Sequence, residues 1–208
     1  MSNTLNDIEP KTALCLVAAD FHARGWMAGT AGNLSVRIGN ETFWLTASGK
    51  PKGRLNEEDF VRLDLDGKLL ETSVPTNRPS AEESIHRVLY RLFPKAGACL
   101  HVHTIDACIA TRRFAKNDLL RLPNIEMIKG FDIWQQQPDI DLPVFENILE
   151  VQNISENIDK RFSAKHPDIT ALMIRDHGVT VWGNDLQDAY NRLETLEFIM
   201  SFMARQKD

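Results

Sequence analysis

The run AGACLHVHTIDAC, residues 96–108, constrains this chain more than any other segment. Its centre is an apolar, strand-like stretch that spends two imidazoles, His101 and His103, at positions i and i+2. On a strand those positions share a face, while Leu100 and Val102 take the other. The apolar side demands cover, and the imidazole side demands polar partners or a ligand. Such a strand belongs inside a sheet with helices packed against it.

The flanking sequence supplies the sheet. LSVRIGNETFWLT reads as two short strands turned at Gly39–Asn40. FVRLDLDGKLL repeats the pattern, turning at Asp66–Gly67. ITALMIRDHGVTVWG reads as strand, turn, strand, with Asp176, His177 and Gly178 at the turn, and PNIEMIKG as a further short strand. Helical spacing surrounds these hairpins. Leu14, Val17, Ala18 and Phe21 recur at i, i+3, i+4 and i+7 behind a cap at Asp7, with Gly25 past the end. Ile85, Val88, Leu89 and Leu92 form the stripe of a second helix, with Ser80 and Glu83 at capping-box spacing. DACIATRRF, residues 153–162 and the stretch from about Asp185 to Met203 complete the helices. Hairpins flanked by helices predict an α/β fold with a largely antiparallel sheet. No repeat or Pro/Gly linker divides the chain, so residues 1–208 read as one domain.

Composition excludes several function classes. The formal net charge is −5, and the Lys/Arg groupings, Arg112–Arg113 and Lys50–Lys52–Arg54, are too sparse for a nucleic-acid footprint. No apolar run reaches the length of a membrane span, and MSNTLNDIEPK has no apolar core of a secretory signal. The three cysteines, Cys15, Cys99 and Cys108, fit free thiols in a reducing, cytoplasmic setting.

His101 and His103 can converge on one ion at roughly 2.0–2.1 Å from each ligating nitrogen. An isolated H-x-H is also what two hydrogen-bonded structural histidines look like. His177 changes the balance, because Gly178 lets the backbone turn and leaves the imidazole at a sheet end. Three imidazoles with an open position suit a catalytic metal site. His86 reads as a core or helix-surface residue, His22 as a helix-end cation, His166 as a loop residue and Cys99 as small buried packing. Gly32–Asn33 and Ser48–Gly49 lie at bends where backbone N–H groups can face an anion. Ser80, at a helix N-terminus, adds a hydroxyl and the positive end of a dipole. Lys50 can add charge to this end.

The motifs GTAGNLSVR, TASGKPKG, PSAE, HVHT, EMIKG and RDHGVTVWG occur in this order and spacing, and the chain resembles the class II aldolase/adducin superfamily from its first helix to its last. The resemblance implies a three-layer α/β/α fold, one zinc ion per subunit on His101, His103 and His177, a small sugar-phosphate substrate and a homotetramer with sites near subunit contacts. The bends and the helix N-terminus described above then offer Asn33, Ser48, Gly49 and Ser80 to the substrate's phosphate. In the aldolase branch the PSSE motif ends in the catalytic carboxylate. Here PSAE makes Glu82 that residue and Ala81 replaces the second serine. In the dehydratase branch the acid/base resembles Glu126 of EMIKG. That branch implies loss of water from a ketose 1-phosphate carrying a methylthio group on carbon 5, a step of methionine salvage. Glu126 must then protonate the leaving hydroxyl on carbon 4, which calls for a pKa raised by burial among Ile125, Met127 and Ile128. A zinc aldolase cleaving another sugar phosphate is the competing expectation. A Schiff base on Lys129 is made redundant by histidine-bound zinc, and an adducin-like interaction module is disfavoured by the intact histidine triad.

Overall fold

The imidazole-bearing run becomes strand β5 (Ala98–Val102), and it sits mid-sheet. The structure is a computed structural model and describes residues 4–206. To one side of β5 lie β1 (Asn33–Ile38), β2 (Thr42–Thr46), β3 (Phe60–Asp64) and β4 (Leu69–Thr72). To the other lie β9 (Gly178–Gly183), β8 (Ala171–Ile174), β7 (Asp141–Phe145) and β6 (Leu119–Arg121). The order is β4-β3-β2-β1-β5-β9-β8-β7-β6, and every pairing is antiparallel except β7 with β8.

Two apolar layers cover this sheet. Leu100 and Val102 of β5 join one core with α1 (Pro10–Ala23), α3 (Ile105–Phe114) and α5 (Leu186–Ala204). Cys99 joins the other with α2 (Glu83–Leu92) and α4 (Val151–Ala164). Each fully buried aliphatic side chain contributes about 2 kcal/mol, so the Leu100/Val102 face decides which way β5 is turned. His101, with the parity of Cys99, is thereby fixed on the α2/α4 side. The expected three-layer α/β/α architecture with a largely antiparallel sheet is what the chain adopts.

Two helix caps differ from what the residue spacing predicts. α1 is capped by Glu9, whose carboxylate accepts from Lys11 N and Thr12 N, and not by Asp7, which caps its own short 3-10 turn at Thr4. Gly25 does take the position past α1, at φ +78°. The Ser80–Glu83 capping box does not form: α2 begins at Glu83, and Ser80 Oγ accepts from Glu82 N at 3.3 Å. EMIKG is not a strand but a 3-10 helix, Glu126–Phe131. Its buried residues are Ile128 and Phe131, three apart, which is the 3-10 repeat. β6 and β7 were not anticipated. One is three residues long and the other contains Pro143, which weakens a strand signal.

Candidate metal centre and active site

His101, His103, His177 and Glu82 converge where β5 ends, the β8–β9 turn passes and α2 begins. One ligand atom from each lies within 4.8 Å of all the others. His101 Nε2 is 2.9 Å from His103 Nε2 and 3.4 Å from His177 Nε2. The two Glu82 oxygens lie 2.7 Å from His177 Nε2 and 3.5 Å from His101 Nε2. His177 is delivered by a tight turn in which Asp176 has φ +55° and His177 N donates to Ile174 O. Gly178 permits this turn to press against β5, because a Cβ there would stand 2.0 Å from the Val102 carbonyl oxygen.

The ring protons are assignable. His101 Nδ1 is 2.9 Å from Val179 O, which can only accept, so Nδ1 carries the proton and Nε2 offers a lone pair. Asn147 Oδ1, 3.3 Å from His177 Nδ1, makes the same assignment there. Burial lowers the pKa of His101, and lowers that of His103 to about 3, with the neighbouring imidazoles adding to the effect. For Glu82, burial acts upward, but the facing histidines, His101 foremost, hold the carboxyl well below the usual range. Neutral imidazole lone pairs and a carboxylate therefore face one another. A cation resolves that arrangement, and this nitrogen-rich donor set fits a first-row divalent metal, with backbone and amide partners orienting two of the rings.

Behind Glu82 runs a buried hydrogen-bond relay. The carboxylate can only accept, so Asn33 Nδ2 donates to Glu82 Oε2. Asn33 Oδ1 then receives the proton of His86 Nε2. His86 Nδ1, left as acceptor, takes the Ser35 hydroxyl at 2.7 Å, and Ser35 accepts from Tyr90 at 2.7 Å. Asn33, Ser35, His86 and Tyr90 are all buried. Of the two readings of His86, core or helix surface, the structure takes the core one, and it adds a positioning task. Its i+4 spacing from Glu82 on the α2 segment was the available signal. Asn33 faces the carboxylate with its amide.

Of the other expected anion contacts, Ser48 and Ser80 are brought together, since Ala47 bridges Pro79 and Ser48 N donates to Arg78 O. Gly49 turns beside them at φ +72°. Lys50 turns away, paired with Asp59 at 2.9 Å. Cys99 is buried and takes no part in the cluster.

Glu126 is placed elsewhere. Its side chain is 82% exposed and paired with Lys129 at 2.6 Å, on a cavity of about 460 Å³ lined by residues from Asn124 to Gln137. The expected burial among Ile125, Met127 and Ile128 is not found, because the 3-10 geometry turns Ile128 inward and Glu126 outward. A separate cavity of about 350 Å³ opens beside His103 and His177, with Ile105, Cys108 and Ile109 on its wall.

The fold and this cluster define one class: a sheet-borne group of three histidines and a glutamate that could hold a metal ion. Residues 12–203 match the family described as Class II Aldolase and Adducin N-terminal domain, and the chain belongs to that family. It is 50% identical over 195 residues, 94% of this chain and 95% of the relative, to methylthioribulose-1-phosphate dehydratase of Microcystis aeruginosa. It is 44% identical over 193 residues, 89% of this chain and 92% of the relative, to methylthioribulose-1-phosphate dehydratase of Leptospira biflexa. Among solved structures, L-fuculose-1-phosphate aldolase from Thermus thermophilus superposes with a TM-score of 0.71 at 25% identity, covering 92% of this chain and 91% of that one.

Proposed function

We propose that this protein removes water from 5-methylthioribulose 1-phosphate, giving 5-methylthio-2,3-dioxopentyl phosphate, as a zinc-dependent hydro-lyase of methionine salvage. The observation that carries this reading is the convergence of three imidazoles and Glu82 within 4.8 Å in a chain half identical to one dehydratase of that name and 44% identical to another. His101, His103 and His177 would hold the zinc. Bound there, zinc would supply Lewis acidity toward the substrate oxygens as the carbon 3 proton departs. Glu82, fixed by its relay, orients the centre and keeps its charge. Glu126 is the acid/base: its carboxylate takes the carbon 3 proton and delivers it to the carbon 4 hydroxyl, which leaves as water.

Glu126 lies on a different cavity from His103 and His177, so it serves the centre of a neighbouring chain in a homotetramer, where docking buries it. The apolar wall of Ile105, Cys108 and Ile109 beside the histidines suits the methylthio end. The match over residues 12–203 supports one domain spanning 1–208, and the free thiols support the reducing cytoplasm. Neither a nucleic acid nor a membrane is required as partner.

Glu82 inside the histidine cluster favours one second reading, an aldolase cutting the bond between carbons 3 and 4 of another sugar phosphate. Product analysis with 5-methylthioribulose 1-phosphate decides between them. The expected product is the 2,3-diketo phosphate and water. A phosphorylated three-carbon fragment with a two-carbon aldehyde would move the protein to the aldolase class.

A further inference from the structure

Lys52 is 2% exposed, and its ammonium is buried without an anion. Nζ donates to Thr30 O at 2.8 Å and to Lys50 O at 3.1 Å. Both partners are neutral carbonyls, so they take two of its three protons and none of its charge. No carboxylate oxygen lies within ion-pair distance of it among the described residues. The carboxylates whose fields reach it are Glu82 and Asp59. Glu82 is engaged by Asn33 and His177, and Asp59 by Lys50. A buried cation left in this state is costly unless an anion joins it. Burial has moved its pKa down to about 8, consistent with that cost.

The position says which anion. Thr30 precedes the Gly32–Asn33 bend, and Lys50 follows the Ser48–Gly49 bend, so Nζ ties together the two loops that carry the neutral donors for a phosphate. Ser48, Gly49 and Ser80 bring hydrogen bonds but no charge, and the Asn33 amide is committed to Glu82. Lys50, the expected cation, is turned to Asp59. We propose that Lys52 is a phosphate-binding residue, its third N–H and its charge meeting the phosphate of the sugar-phosphate substrate between these bends. This rests on the proposed function for the identity of the substrate, but not for the presence of an anion site.

The test uses inorganic phosphate as the probe on the metal-loaded protein. Wild-type protein should gain thermal stability as phosphate is added, by mass action on the folded state. Lys52→Met should bind phosphate at least about tenfold more weakly, the loss of a charge-assisted hydrogen bond. It should keep its metal and be no less stable than wild type without phosphate, because the uncompensated cation is gone. Lys52→Arg should retain part of the phosphate response. Should Lys52→Met fail to fold, Lys52→Gln carries the same readings. Equal phosphate stabilisation of wild type and a folded Lys52→Met or Lys52→Gln, or no stabilisation of wild type, overturns the assignment. The phosphate response is read without turnover. A protein that binds phosphate through Lys52 yet forms no diketo phosphate would refute the proposed reaction and leave this site standing.

Discussion

Glu82 and Glu126 sit in two differently built parts of one chain. Glu82 is surrounded: three imidazoles lie in front of it and a relay of Asn33, His86, Ser35 and Tyr90 stands behind it. Glu126 is on a short 3-10 helix, largely solvated, and among the described residues is held by Lys129 three residues on. The first region is complete within the chain, because β1 and α2 supply the relay behind Glu82, and β5 and the β8–β9 turn supply the imidazoles in front of it. The second is open, because most of the Glu126 side chain faces solvent and the 3-10 helix turns Ile128 and Phe131 inward instead. A cluster of metal-ligating side chains can be finished by one fold, whereas the acid/base role proposed for Glu126 calls for a second surface over it.

The largest effect expected is at the first region. His177→Ala should lose the metal and at least roughly a thousandfold in turnover, the scale of several kcal/mol of charge stabilisation. Metal analysis with circular dichroism checks it. Full metal occupancy in that variant would break the picture of a shared centre.

Glu126→Gln comes next. Turnover should fall about 100-fold with metal content and fold unchanged, the low end of acid–base contributions. The sharper experiment mixes it with His177→Ala after dissociation and reassembly. Each variant is nearly inactive alone, and mixed oligomers should recover activity through sites that combine an intact histidine centre with an intact Glu126. No recovery would return Glu126 to its own chain.

A smaller loss is expected behind Glu82. Ser35→Ala removes the donor that fixes the His86 tautomer, and should cost about tenfold in turnover, as for groups that orient metal-site residues. In a Glu82→Gln background the same change should cost little more, since the relay acts only through that carboxylate. Additive losses would reduce the relay to core packing.

The mildest effect concerns α5, which supports the first region from below. Glu197 is buried, and burial raises its carboxyl from 4.5 to about 8, partly offset by a hydrogen bond with Thr104, the neighbour of His103. The folded state therefore holds this proton more tightly than the unfolded state. The stability from this group is complete below pH about 4.5, declines as pH rises, and is lost by about pH 8. Glu197→Gln should match wild type in acid and become progressively more stable than it toward pH 8, as read by melting temperature.

The first region was legible in the sequence for physical reasons. Strand parity puts His101 and His103 on one face, and a glycine turn carries His177, so alternation and turn chemistry were enough. Glu82 entered through its motif. The second region was misread because Ile125, Met127 and Ile128 around Glu126 suggest an alternating strand, whereas burial of Ile128 with Phe131 follows a three-residue repeat. Lys52, between Pro51 and Gly53, reads from sequence as one more solvated lysine near a turn, and Lys50 beside the Ser48–Gly49 bend reads as the nearer cation. Only the fold shows that loops 29–32 and 49–52 close over Lys52. Periodicity leaves His86 between core and helix surface, and its task depends on the amide of Asn33, distant in sequence and adjacent in space.

Gly178 makes this chain fragile to inheritance at a residue that touches no ligand. Any missense change at its codon adds a Cβ that meets the Val102 backbone, not a flexible side-chain tip that could swing aside. Relief requires β9 to retreat from β5, and that movement separates His177 from His103 in one stroke. A lineage can exchange one metal donor for another and recover through later substitutions. It has no such stepwise route past a side chain at 178. Purifying selection should therefore bear on this glycine as heavily as on the histidines.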